Sequence, residues 1–274
     1  MLFRSLFIAS IASGSNGNCY YVGNEREAVL IDVGISCREI VRRMQRLQLS
    51  MHKVKAVFIS HQHSDHIRGL YRLAKKYQLP VFITSQTLQH YPFQLPADQV
   101  VSFQFNQTVS IGSLHITSFQ KEHDVVDAHS FVVRGNEINV GVFTDIGKPC
   151  EALRYHFNQC HTAFLEANYD EELLHGGRYP IYLKRRISGG KGHLSNKQTV
   201  QLFQNYKPAH MSHLILSHLS QENNCPKLVE ELFTECAGTT KVVVASRYQE
   251  TVLYCITHNA VLPTVSKPQQ MSLF

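Results

Sequence analysis

His61-Gln62-His63-Ser64-Asp65-His66 places three imidazoles and a carboxylate within six residues. The run follows Val54, Ala56, Val57, Phe58 and Ile59, an apolar stretch that reads as a buried strand. Side chains alternate along a strand, so His61 and His63 point the same way, while Asp65 and His66 fall at the turn into a helix and reach the same volume from beside it. Neutral imidazole suits zinc, iron or nickel, and the adjoining carboxylate supplies charge and proton handling, which together describe a hydrolytic metal site. The plain alternative is a polar loop that happens to be rich in histidine; Asp65 and His66 in this context argue against it.

On either side of that run the chain reads as α/β. Residues 2–11, 18–23 and 27–32 read as strands, and Ile40, Met44 and Leu47 give helical spacing over 39–47. From Asp65 the spacing of Ile67, Leu70, Tyr71, Ala74 and Tyr77 marks one face of a helix that ends before Pro80, and a strand resumes at 81–84. Further strands are expected at 100–105, 114–119, 130–134, 139–144, 163–167, 213–217 and 241–245, and helices at 150–157, 196–205 and 225–234. We expect a single domain over residues 1–274, with a polar tail from about 264 and a basic surface excursion at about 170–192. That excursion combines several glycines and a proline with Arg178, Lys184, Arg185, Arg186 and Lys191.

Composition narrows the class. With 274 residues, 43% of them hydrophobic, the chain can bury a sizeable core, and 27 Lys+Arg against 21 Asp+Glu (net +6) lean towards an anionic partner. Seven cysteines, odd in number and without a CxxC pair, support neither a disulfide framework nor a cysteine zinc knuckle and fit a reducing compartment. The apolar N-terminus runs through Gly14-Ser15-Asn16-Gly17-Asn18 straight into a strand-like stretch, so it reads as a hairpin of the fold rather than a cleaved leader. No stretch approaches the roughly 18 apolar residues of a membrane span. A cytoplasmic protein that does not enter the membrane is expected.

A two-metal hydrolytic centre needs ligands from elsewhere in the chain and a carboxylate to bridge ions about 3.5–4 Å apart. His123, Asp145 and His218 each stand just beyond an expected strand, where a side chain projects from a sheet edge. Each alone is ambiguous; together they complete a set.

The order Asp32, His61-x-His63-x-Asp65-His66, His123, Asp145, His218 resembles the five motifs of the metallo-β-lactamase superfamily. Within it the chain is similar to the WalJ/YycJ family of nuclease-like metallohydrolases, through Ser13-Gly-Ser-Asn-Gly-Asn-Cys19, Leu30-Ile-Asp-Val-Gly34, Thr144-Asp-Ile-Gly147, Leu165-Glu-Ala-Asn168, Gly192-His-Leu-Ser-Asn196 and Ser217-His-Leu-Ser-Gln-Glu-Asn-Asn224. The histidine motif is shared by many branches; the last two stretches are more specific. The resemblance implies a four-layer αββα sandwich with two divalent cations, zinc or manganese with iron as a further option, at one edge of its sheets. By matched motif His61, His63 and His123 hold the first ion, Asp65, His66 and His218 the second, and Asp145 bridges them. Asp32 orients the histidine loop through hydrogen bonds, its plain alternative being a turn carboxylate before Gly34.

The resemblance also implies a catalytic role for Asp65 beside the metals, and it places His193, oriented by Glu166, at the leaving oxygen, as in phosphodiesterase branches such as the tRNA 3′-processing endonucleases. The alternatives are a histidine at a helix start for which Ser195 is the cap, and an ordinary surface carboxylate. Lys184, Arg185, Arg186 and Lys191 are candidates to grip phosphates, against a solvated charged face. The expected activity is phosphodiester hydrolysis on nucleic acid, DNA ahead of RNA, as an exonuclease. A thioester hydrolase of the glyoxalase II type shares almost the whole ligand set but needs no proton donor for a thiolate, and a non-catalytic binding module leaves the ligand set without a purpose. Antibiotic-hydrolysing relatives lack the bridging aspartate. The 72 residues between Asp145 and His218 are too few for the inserted domain of the β-CASP nucleases.

Overall fold

The computed structural model describes residues 5–258. Across the first sheet run β1 (Ser5–Ala12), β2 (Cys19–Gly23), β3 (Ala28–Ile31), β4 (Val54–Phe58), β5 (Val81–Phe82) and β6 (Val100–Val101). The second sheet comprises β7 (Thr108–Ile111), β8 (Leu114–Gln120), β9 (His129–Gly135), β10 (Ile138–Phe143), β11 (Thr162–Glu166), β12 (His213–Ser217) and β13 (Lys241–Val244). β14 (Tyr254–Thr257) then returns to the first sheet, antiparallel to β1 with Ser5 opposite Thr257. The helices are α1 (Cys37–Arg46), α2 (Ser64–Ile67), α3 (Leu70–Tyr77), α4 (Ser85–Gln89), α5 (Glu151–Phe157), α6 (Glu171–Gly176), α7 (Ile181–Ser188), α8 (Asn196–Tyr206) and α9 (Pro226–Thr234).

Period-two alternation builds the layers. In β2, Cys19 and Tyr21 face the helices α1 and α3, while Tyr20 and Val22 face the other sheet. In β11, Ala163 and Leu165 meet α5, α8 and α9, while Phe164 turns inward, its ring centroid 4.9 Å from that of Tyr20. Both sheets thus bury one face on helices and the other on each other, which is the four-layer αββα sandwich. Among the described residues no helix is long and apolar enough to cross a membrane.

Strand polarity positions the site. β3 and β4 are parallel with Ile31 beside Phe58, and β10, β11 and β12 are parallel with Phe143, Leu165 and Leu216 in register. Their carboxyl ends open on one edge of the sandwich, where loops carry Asp32, the run from His61, Asp145 and His218. β8 runs the same way as β10, since both are antiparallel to β9, and so delivers His123 to that edge.

Several expectations need correction. The helix after Asp65 is two, α2 and α3, broken at Gly69, where a Cβ would stand 2.2 Å from the Ile35 carbonyl oxygen. The strand expected at 100–105 is only Val100–Val101, and β7, β14 and α4 stand where no separate element is expected. The basic excursion is ordered as α6 and α7. Residues 2–4 of the first expected strand and the polar tail from about 264 lie outside the described residues.

Candidate metal centre

Three side chains form the first group. His61 Nε2 lies 3.1 Å from His63 Nδ1, which lies 3.4 Å from His123 Nε2. Nitrogens about 2.05 Å from a tetrahedral zinc stand about 3.3 Å apart, so the spacing fits one cation. A second group is Asp65, His66, Asp145 and His218: Asp65 Oδ2 lies 3.4 Å from both His66 Nε2 and His218 Nε2. Asp145 spans the two groups, with Oδ1 3.8 Å from His123 Nε2 and Oδ2 3.2 Å from His66 Nε2. Its Oδ2 is buried without a hydrogen bond, a costly arrangement for a carboxylate unless a cation completes it. Asp32, Asp145 and His218 hold φ of 59°, 56° and 58°, the left-handed region that a non-glycine residue enters at a cost, and such strain gathers at working sites.

The hydrogen bonds select ligand atoms. Buried Asp32 accepts from Ser60 N–H (2.8 Å), from Ser60 Oγ–H (2.8 Å) and from His66 Nδ1–H (2.7 Å). Since Ser60 Oγ donates to Asp32, it accepts from His61 Nδ1–H at 2.9 Å. His123 donates Nδ1–H to the Gly192 carbonyl at 3.0 Å and His218 donates Nδ1–H to Glu166 at 2.9 Å. In all four imidazoles the Nε2 lone pair is thereby left facing the centre, the tautomer a metal ligand needs.

Glu166 is fully buried and accepts five N–H groups, from Asp145, Ile146 and Leu194 of the backbone and from the His193 (2.8 Å) and His218 rings. Burial pushes its carboxyl up, but His193 and His218 outweigh that and hold it down to about 2. With its oxygens spent on those donors, Glu166 orients rings rather than offering a ligand atom. Ser195 is indeed the cap of α8, in a reciprocal pair with Gln198, and His193 two residues ahead is turned onto Glu166. Its Nδ1 is occupied, which leaves Nε2 for the cavity of about 220 Å³ that His193 lines with His63, Asp65, Asp145 and His218. Burial, with the His66 ring beside it, holds His61 well below the ordinary imidazole range. Burial also disfavours charge on His218, but Asp145, Asp65 and Glu166 prevail and raise it to about 10, so without a cation its Nε2 holds a proton that a cation must displace to take the lone pair. The second group thus favours positive charge at its centre.

Of the basic residues, Arg186 reaches the cavity wall, where its guanidinium pairs with Asp124. Lys184 is turned onto the His175 carbonyl at 2.7 Å, and Arg185 and Lys191 are exposed beyond it. Sequence reasoning missed Asp124, whose Oδ1 lies 3.3 Å from His123 Nε2, and buried Lys121, which donates to the Thr144 carbonyl at 2.6 Å. It quoted, without giving them roles, Ser13, whose hydroxyl accepts the His218 N–H (2.7 Å), Asn18, which donates to Asp65 (3.2 Å), and Asn168, which donates to the His218 carbonyl (2.8 Å). His129, near His123 in sequence, points elsewhere: it starts β9 and meets Asp127 (2.9 Å) and the Phe103 ring.

Comparison with known proteins agrees with this geometry. A family model described as a β-lactamase superfamily domain matches residues 27–219. The exodeoxyribonuclease YycJ of Bacillus anthracis is 31% identical over 226 residues, 81% of this chain and 86% of that protein. The exodeoxyribonuclease WalJ of Streptococcus pneumoniae is 30% identical over 223 residues, 80% of this chain and 83% of that one. Among solved structures, the metallo-β-lactamase-fold protein YhfI of Bacillus subtilis superposes with a TM-score of 0.72 at 16% identity, covering 92% of this chain and 99% of that one.

Proposed function

Because this chain belongs to the β-lactamase superfamily, and within it to the family of the YycJ and WalJ exodeoxyribonucleases, it is a metal-dependent hydrolase, and we propose that it is a cytoplasmic DNA exonuclease with a dinuclear centre. His61, His63 and His123 would hold one divalent cation, zinc or manganese, and Asp65, His66 and His218 the other, with Asp145 shared. Bound there, the cations lower the pKa of a water and neutralise charge on a phosphoryl oxygen. The protein's own groups do the rest. Asp65, beside His66 and His218, is placed to accept a proton from the attacking water. His193 presents Nε2 to the cavity, where it gives a proton or hydrogen bond to the leaving oxygen, and Glu166 fixes the ring.

The observation that carries this reading is the His193–Glu166 bond of 2.8 Å beside the ligand groups. A sugar oxygen leaves poorly without a proton, whereas a thiolate leaves unaided, so the pair favours phosphodiester over thioester hydrolysis. The test is purified protein with Mn²⁺ or Zn²⁺ on end-labelled single- and double-stranded DNA and RNA, with Asp145→Ala as the inactive control. His193→Ala should lose about 10²- to 10⁴-fold in turnover and keep its metals. Intact nucleic acids beside rapid turnover of a thioester would replace this reading with the glyoxalase II one.

A further inference from the structure

α7 buries none of its side chains, although a helix of a globular domain ordinarily buries one face. Its inner face instead lines the cavity: Leu183, Arg186 and Ile187, with Tyr179 just ahead of the helix, fall at positions i, i+3, i+4 and, counting back, i−4, on one side. The end of the helix and the loop after it are tied to the centre through backbone carbonyls. The Ile187 carbonyl accepts the His193 N–H at 2.9 Å, and the Gly192 carbonyl accepts from His123 at 3.0 Å. Arg186 pairs through Nε with Asp124, and its side chain stays 57% exposed, so the guanidinium is aimed without being used up. Asp124 Oδ1 is itself buried without a hydrogen bond. An apolar strip ending in a braced guanidinium suits a nucleoside joined to a phosphate: aromatic and aliphatic groups take bases without reading sequence, and the planar guanidinium matches phosphate oxygens.

We propose that this face is the subsite for the terminal nucleotide of an unpaired strand, Tyr179 and Leu183 taking the nucleoside and Arg186, positioned by Asp124, taking its phosphate. The proposal rests on the nuclease reading above and singles out one of its basic residues. Calorimetric titration of the Mn²⁺-loaded protein with thymidine 5′-monophosphate and 3′-monophosphate tests it, with metal content measured for every variant. Arg186→Ala should weaken binding about 10- to 100-fold at unchanged metal content, with Arg186→Lys recovering only part. Tyr179→Ala should weaken it about 3- to 10-fold. Asp124→Ala should cost affinity in the wild-type background but not in Arg186→Ala, the coupling expected of a positioning residue. Failure of the wild type to bind either monophosphate, or equal binding by Arg186→Ala, overturns the subsite, and additive costs remove Asp124 from it. Binding that behaves as stated in a protein that cuts no strand would overturn the nuclease reading instead.

Discussion

At the scale of single residues, Asp32 shows how one buried carboxylate orders several of the candidate ligands from behind. It receives two bonds from Ser60 and one from His66, so a single buried anion fixes the rings of both His61 and His66. Asp32→Ala should weaken cation affinity about 10- to 100-fold while leaving the far-ultraviolet dichroism unchanged. Competition with a chromophoric chelator measures it, and wild-type affinity would reduce Asp32 to a turn residue. The histidines and aspartates were legible because ligand chemistry admits few residue types and their motif spacing is dense. Asp124 was not: one acid after one histidine carries no pattern, and its place is set by Arg186, 62 residues away along the chain. Proximity in sequence misleads equally: His129 pairs with Gln120 at the same edge, but its ring is turned onto Asp127 and Phe103 and away from the ligand groups.

At the scale of elements, legibility followed burial. Strands with two apolar faces, such as β11 and β12, announce themselves. β7 spans only four residues and half-buries just Val109 and Ile111, and α7 buries nothing among its basic residues, so neither offers a pattern long enough to stand out. The loop between β3 and α1 has its own constraint in Gly34. Its N–H donates to the Asn18 carbonyl at 2.7 Å, and a Cβ there would fall 1.6 Å from the Asp65 carbonyl oxygen and 2.6 Å from the Asn18 nitrogen. These are backbone atoms that cannot swing aside. Gly34→Ala should therefore push α2 and Asp65 outward, costing about 1–3 kcal/mol or more and lowering cation affinity with it. Thermal unfolding of the metal-free and metal-loaded forms checks both, and an unchanged midpoint with unchanged affinity would refute the close approach.

At the scale of the whole molecule the two edges of the sandwich divide the labour. The candidate ligands collect where the parallel strands end, whereas His161 and His213 stand where β11 and β12 begin. His161 Nδ1 accepts the Asn139 N–H at 3.2 Å, and His213 packs on the Tyr254 ring at 5.0 Å. Burial, with His210 and His258 nearby, lowers His161 to about 4, and burial, with Lys241, lowers His213 to about 4. Unfolded, both return to the ordinary imidazole value of about 6.5. Between those values the unfolded chain binds protons that the folded protein refuses. The stability these two neutral rings supply is therefore complete above about pH 6.5 and is lost as pH falls towards 4. Protonation of the metal-binding histidines also destabilises the loaded protein in acid, but that term is common to wild type and to the double variant His161→Asn/His213→Asn, so their difference isolates the far edge. Asparagine cannot titrate, and at 161 its Oδ1 still accepts the Asn139 N–H. Urea unfolding from pH 7 to pH 4.5 should show the wild type losing stability relative to the variant as pH falls; a gap that stays constant would mean these two rings titrate alike in the folded and unfolded chains.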